Sequence, residues 1–230
     1  MSKIVVLLSG GLDSAVCLAH AVDKVGKENV FALNMFYGQR HDKELECAEA
    51  LAKHYGVKLI RKDLTSAFEF SKSTMLAGTG ELPTGSYEEQ LKQTGTVSTY
   101  VPFRNGLFLS FAAAVAYSLE ADKIMLGAHA DDAAGNAYPD CSWEFTKAMN
   151  NAVTLGTGEK VSFFAPFVKK HKKDIVARGL ELGVPFELTW SCYDGGEKAC
   201  GICGTCIDRL RAFEANQSID PIEYVEGRNE

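Results

Sequence analysis

Apolar positions change their spacing repeatedly along the chain, and each change marks a new element. Ile4-Val5-Val6-Leu7-Leu8 is an unbroken apolar run, the pattern of a strand buried on both faces. Beyond Asp13 the spacing turns helical, with Ala15, Val16, Leu18, Ala19 and Val22 on one stripe. Val30 to Met35 predicts a second strand. A charged helix follows from about Asp42 to Tyr55, with Gly56 as its cap, and Val57 to Ile60 predicts a third strand. This alternation predicts βαβ units, an α/β class and a parallel sheet.

Residues 71–98 break the rhythm. They are rich in Ser, Thr and Gly, contain Pro83 and hold few large apolar side chains, which reads as a long loop or flap. The helical pattern returns from Gly106 to Leu119. Lys123 to Leu126 predicts a fourth strand, ending at Gly127-Ala128-His129. A polar loop, Ala130 to Asp140, leads into a helix from Ser142 to Asn151. Ser162 to Phe164 is a short strand candidate, and Asp174 to Leu182 a helix stopped by Gly183 and Pro185. A last helix spans Asp208 to Ala215. The expected organisation is a nucleotide-binding α/β domain over 1–185 with a small C-terminal lobe over 186–230.

Composition narrows the class. The chain has 230 residues, 46% hydrophobic and 23% charged, which fits one core with an appended lobe and excludes a disordered chain. No apolar run is long enough to span a bilayer, and the N-terminus lacks a signal-peptide core, so a cytoplasmic location is expected. A net charge of −6 argues against a broad nucleic-acid surface. The run Lys169-Lys170-His171-Lys172-Lys173 reads as the solvated start of a helix.

The candidate chemistry begins at Ser9-Gly10-Gly11-Leu12-Asp13-Ser14. A strand, a glycine turn and a helix start together aim free N–H groups at an anion, so the loop suits phosphate. It is not a Walker loop, because no Gly-Lys-Ser/Thr follows. Ligands of open parallel sheets bind outside the carboxyl ends of the strands. Here those ends carry Ser9-Gly10-Gly11, Tyr37 to His41 and Gly127 to His129, which one crevice can collect. Of seven cysteines, Cys17 and Cys47 read as core thiols and Cys141 lies in a polar loop. Cys192, Cys200, Cys203 and Cys206 form a cluster. Four thiolates with no other ligand make a closed, structural zinc site, with an iron–sulfur cluster as the alternative.

The loop at 9–14 resembles the PP-loop of the ATP pyrophosphatases, which typically split ATP between its α- and β-phosphates. Further motifs follow in order: Tyr37-Gly38-Gln39-Arg40-His41, Val101-Pro102-Phe103-Arg104-Asn105, Tyr138-Pro139-Asp140-Cys141 and Ser191-Cys192-Tyr193. Together they resemble the 7-cyano-7-deazaguanine synthase (QueC) family over nearly the whole chain. The resemblance implies an adenine-nucleotide α-hydrolase-like (PP-loop) domain, a zinc-binding C-terminal lobe, ATP with magnesium, and a homodimer. It implies conversion of 7-carboxy-7-deazaguanine and ammonia to a nitrile that feeds queuosine biosynthesis.

Residue roles follow as expectations. Leu8, Ser9, Gly10, Gly11, Leu12, Asp13 and Ser14 hold ATP, with Asp13 alternatively a helix cap. Arg40 or Arg104 neutralises pyrophosphate or orients the carboxylate, a salt bridge being the other reading of each. His41 moves protons or simply caps its helix. Tyr37, Gln39, Asn105, Asp131, Tyr138 and Asp140 meet the deazaguanine, with core packing or solvation the alternative for the tyrosines and aspartates. One departure stands out: Ser142 follows Cys141 where the family often has Arg. The rival readings are an amide-forming enzyme that stops after one adenylation, a tRNA-modifying PP-loop enzyme, and a nucleotide-sensing regulator. No glutaminase domain is visible, so free ammonium or a partner protein supplies the nitrogen.

Overall fold

The computed structural model describes residues 2–94 and 97–226. Residues 95–96 of the expected flap and 227–230 of the expected C-terminal lobe lie outside the described residues. Five strands of the described residues, β1 (Ile4–Leu7), β2 (Val30–Phe36), β3 (Lys58–Asp63), β4 (Lys123–Met125) and β5 (Ser162–Phe164), form one parallel sheet in the order β3-β2-β1-β4-β5. Among the described residues eight α-helices accompany them: α1 (Leu12–Val25), α2 (Lys43–Tyr55), α3 (Tyr87–Thr94), α4 (Arg104–Ser118), α5 (Ala130–Ala133), α6 (Trp143–Gly156), α7 (Lys172–Glu181) and α8 (Gly204–Ala215).

The apolar run at the N-terminus becomes the central strand. Val5 sits opposite Phe31 on one side and Ile124 on the other. Successive side chains of a strand point to opposite faces, and β1 divides accordingly. Ile4 and Val6 enter a core built with α1, α2, α7 and α8, which includes Leu12, Ile175 and Phe213. Val5 and Leu7 enter a second core with Leu109, Ala112 and Val153 from α4 and α6. The result is a three-layer α/β/α arrangement, as the alternation predicts.

After β3 the chain crosses back and places β4 on the free side of β1. The direction of winding reverses between β1 and β4, and this is where an open α/β sheet leaves a crevice. Among the described residues no helix is long and apolar enough to cross a membrane.

Several boundaries move. The 71–98 segment is not all loop, since α3 forms within it. The polar stretch 130–141 folds into α5 and two short 3-10 turns. α4 begins at Arg104, α7 at Lys172 and α8 at Gly204, each earlier than expected. Ser142 caps α6, its hydroxyl accepting the Phe145 N–H at 3.2 Å. The second half of α8 packs Ala212 and Phe213 into the core that holds α1. Arg209, fully buried, ties this helix down through Asp220 at 2.6 and 2.9 Å, Thr189 Oγ1 at 2.8 Å and the Phe186 carbonyl at 3.2 Å.

Candidate active site

The phosphate-type loop leaves β1 under tight constraint. Gly10 has φ +102° and packs directly on the Glu44 carbonyl of α2, and its own carbonyl accepts the Trp190 N–H at 3.0 Å. The loop is braced internally. Gly11 N donates to Ser9 Oγ at 3.1 Å, Gly10 N to Ser14 Oγ at 3.3 Å, and Ser14 Oγ to the Gly11 carbonyl at 2.9 Å. The helix cap is Gly11, which has no side chain to satisfy the first N–H groups of α1. Asp13 is therefore not the cap, and its carboxylate is free to face the crevice. Leu8, Ser9, Gly11, Asp13 and Ser14 line that crevice, while Leu12 points into the core and Gly10 is spent against α2.

Beneath the loop lies a group of charges that sequence reading missed. Lys172 Nζ sits 3.4 Å from Asp13 Oδ2 and lines the crevice. The basic run is thus not wholly solvated: its neighbours are exposed, whereas the Lys172 side chain is only 8% exposed. Burial alone would lower its pKa, but Asp13, Asp132 and Asp208 outweigh it and hold the ammonium charged. His129 is fully buried at the end of β4, with Nε2 3.2 Å from Asp132 and 3.7 Å from Asp13. Neither of its ring nitrogens has a hydrogen-bond partner among the described residues. Its place at a strand end was the available signal. For Lys172 no single-sequence signal distinguished it from the lysines around it.

The opposite wall carries Arg104, the first residue of α4. Its Nη1 donates to the Tyr37 hydroxyl at 2.9 Å, with the guanidinium 5.1 Å from the ring centre. Burial works against this charge, yet Tyr37, Asp140 and Cys141 hold the pKa above its usual value. Gln39 accepts the Tyr37 N–H at 2.9 Å, and Asn105 donates to the Asp140 carbonyl and the Cys141 sulfur, both at 3.3 Å. All four line the crevice. A chain of hydroxyls forms a further stretch of wall: Thr99 to Tyr138 at 2.6 Å, Tyr138 to Tyr193 at 3.3 Å, and Tyr193 to Tyr87 at 2.5 Å. Thr99, Tyr87 and Tyr193 were not among the expected site residues. Neither was Glu44, which lines the crevice from the first turn of α2. The crevice has a cavity volume of about 210 Å³ and opens to solvent at its mouth.

Besides Gly10 and Leu12, four expected residues lie elsewhere. Arg40 is exposed and donates to the Thr74 and Gly80 carbonyls at 3.1 and 2.5 Å, pinning the loop after β3. His41 packs against Gly195 in the cysteine segment. Asp131 is occupied by His171 Nδ1 at 2.6 Å and the Lys172 N–H at 2.8 Å, and its neighbour Asp132 lines the crevice instead. Asp140 is buried and accepts the Asn105 N–H at 2.9 Å at the positive end of α4. Burial raises its pKa, opposed by that hydrogen bond and by Arg104. Arg40, Asp131 and Asp140 are each claimed by groups 34 to 41 residues away in the chain, and His41 by packing on the cysteine segment.

The four clustered cysteines do meet. The sulfurs of Cys192, Cys200, Cys203 and Cys206 lie within 4.8 Å of one another, all buried. Backbone N–H groups point at them: Asp194 and Cys200 to the Cys192 sulfur at 3.4 and 3.2 Å, and Cys203 to the Cys200 sulfur at 3.4 Å. The Cys203 and Cys206 thiols donate to Cys192 and hold it far below the ordinary thiol range. Four inward sulfurs and donated N–H groups fit a metal ion bound as thiolates. Trp190, Ala199, Ile202 and Tyr193 surround the set.

The chain is similar to several known proteins. The family model described as "Queuosine biosynthesis protein QueC" matches residues 3–217. The 7-cyano-7-deazaguanine synthase 1 of Colwellia psychrerythraea is 43% identical over 222 residues, covering 96% of this chain and 98% of that protein. The 7-cyano-7-deazaguanine synthase of Thermoplasma acidophilum is 46% identical over 228 residues, covering 96% and 92%. Among solved structures, an NMN synthetase from Francisella tularensis aligns with a TM-score of 0.49 and 17% identity, covering 83% of this chain and 66% of that one.

Proposed function

The chain belongs to the QueC family, and we propose that its crevice carries out the reaction for which its relatives are named. It is an ATP-dependent enzyme of queuosine biosynthesis that makes 7-cyano-7-deazaguanine. The substrates are 7-carboxy-7-deazaguanine, ammonia and ATP. A carboxylate resists ammonia because oxide is a poor leaving group, and joining it to AMP removes that obstacle. Ammonia then gives an amide. Adenylation of the amide oxygen in a second round lets AMP leave again, and the nitrile forms.

The observation that carries this reading is the pairing of an uncapped helix start with two inward cations. The N–H groups at the start of α1 meet the phosphates, with Ser9, Gly11 and Ser14 shaping the turn. Lys172 and Arg104 face the same space from opposite walls and neutralise charge that develops on pyrophosphate and on the attacked α-phosphate. Asp13 holds Lys172 in place. Tyr37, Gln39, Asn105 and the hydroxyls of Thr99, Tyr87, Tyr138 and Tyr193 offer donors and acceptors to the edges of the deazaguanine. No nucleophilic side chain is required, because positioning and charge stabilisation supply the rate. Magnesium would accompany ATP, and Asp13 and Asp132, which line the crevice, would hold it.

The cysteine site holds one zinc. A tetrahedral ion at a zinc–sulfur distance of about 2.3 Å sets its sulfurs about 3.8 Å apart, within the spacing found here, whereas a cluster core pushes them further apart. The metal closes the C-terminal segment and takes no part in the chemistry. The cytoplasm and a homodimer complete the reading, supported by the family resemblance. The deciding experiment is mass spectrometry of products from 7-carboxy-7-deazaguanine, ammonium and magnesium-ATP. A nitrile is expected, with two AMP per product. An amide that never converts would establish the one-step alternative, and no product at all would end the reading.

A further inference from the structure

Glu44 sits in the first turn of α2 and lines the crevice beside the phosphate loop. Its Oε1 lies 3.9 Å from the point where a β-carbon on Gly11 would stand. Its carboxylate makes no hydrogen bond and no ion pair among the described residues. Glu44 is half-buried, and its carboxylate reaches the open crevice without a protein partner, where it can act on what the crevice holds. Burial raises its pKa to about 7, and Arg104 across the crevice only partly offsets this. The other titratable neighbours are Tyr37, at the end of β2, and Cys47, one turn along α2. Lys43 turns away, its ammonium over the Trp190 ring at 4.7 Å.

The reaction supplies a task for such a group. The nitrogen enters as ammonium with four protons and leaves in the nitrile with none. We propose that Glu44 is the catalytic base that accepts these protons from the nitrogen, an inference that rests on the nitrile-forming reading above. Ammonium first gives one proton to Glu44. The nitrogen lone pair forms the C–N bond at the adenylated carbon, and the carbon–oxygen bond to AMP breaks with its electrons leaving on AMP. Loss of a second proton completes the amide. In the second round the amide oxygen takes AMP from a second ATP, releasing pyrophosphate. AMP then departs with the carbon–oxygen electron pair while the nitrogen yields its last two protons and the triple bond closes. No step oxidises or reduces anything. Between steps Glu44 returns each proton to water through the open mouth, which a pKa near the working pH permits.

The test separates half-reactions in the full chain. Glu44→Gln should retain pyrophosphate–ATP exchange dependent on 7-carboxy-7-deazaguanine while amide and nitrile formation fall by about 10²- to 10⁴-fold. Hydroxylamine, uncharged at neutral pH, should restore acyl transfer in that variant. Glu44→Asp should fall between Gln and wild type. Without any substitution, the wild-type rate of amide formation at saturating ammonium should rise with pH through about 7. A pH-independent wild-type rate across that region, or Gln at wild-type speed with ammonium, would overturn the proposal. So would loss of exchange in both variants, which would make Glu44 a binding residue. Exchange and product formation both absent from the wild type would instead remove the functional reading itself, and the proposal with it.

Discussion

The two glycines of the loop look equivalent in sequence, and the structure predicts that they are not. A β-carbon on Gly10 would collide with the Glu44 carbonyl and come within 2.9 Å of the Ala48 N–H, both backbone atoms of α2 that cannot swing aside. Its φ of +102° adds strain for any L side chain. Gly10→Ala must therefore push the loop and α2 apart, at a cost of at least about 3 kcal/mol. For a chain of this size each kcal/mol moves Tm by about 2–4 °C, so a fall of about 6–12 °C is expected. Gly11→Ala meets Ser9 Oγ at 3.3 Å, the Trp190 carbonyl at 3.5 Å and Glu44 Oε1 at 3.9 Å, at a φ of −75°. Its Tm should stay within about 2 °C of wild type, while ATP binding weakens because the methyl stands where phosphate approaches. Gly158→Ala is the control, with a φ of +60° and nothing within 4 Å, and it should cost about 1 kcal/mol of backbone strain alone. Thermal melts and ATP titrations of the three variants decide the matter. If Gly10→Ala melts no lower than Gly158→Ala, then close packing of α2 on the loop is not what makes Gly10 necessary.

Three further outcomes follow from the same geometry. Arg209→Ala leaves Asp220 buried without its bidentate partner, so about 3–5 kcal/mol of stability should be lost, read by denaturant unfolding; a loss under about 1 kcal/mol would mean the pair is nearly neutral. Because Glu44 holds its proton to about 7 when folded against about 4.5 unfolded, wild-type stability should fall as pH rises across that window, by up to about 3 kcal/mol. Glu44→Gln lacks this fall and should be the more stable chain at pH 8 but not at pH 4.5; parallel curves would contradict the assigned burial. Removing the metal by chelation should release four reactive thiols per chain and lower Tm sharply, whereas unchanged thiol reactivity would mean that the four sulfurs hold no ion.

The sequence by itself determined the framework. A five-residue apolar run leading into a glycine turn reads as a strand covered on both faces, and β1 is that strand at the centre of the sheet. Alternating periods set the α/β class, the glycine turn marked the phosphate loop, and four close cysteines announced a metal site, because each signal is local and survives without tertiary context. Tertiary structure decided which polar residues face the crevice. Lys172 and Glu44 lie in charged stretches that read as solvated surface, and only the packing of the fold brings both into the crevice lining, Lys172 buried and Glu44 half-buried. Arg40 and Arg104 were equal candidates, yet one reaches loop carbonyls and the other meets Tyr37. Asp131 and Asp132 are adjacent, and the turn of α5 sends one to His171 and the other to the crevice. A side chain's direction depends on which backbone donor reaches it first, and that is fixed by elements far away in the chain.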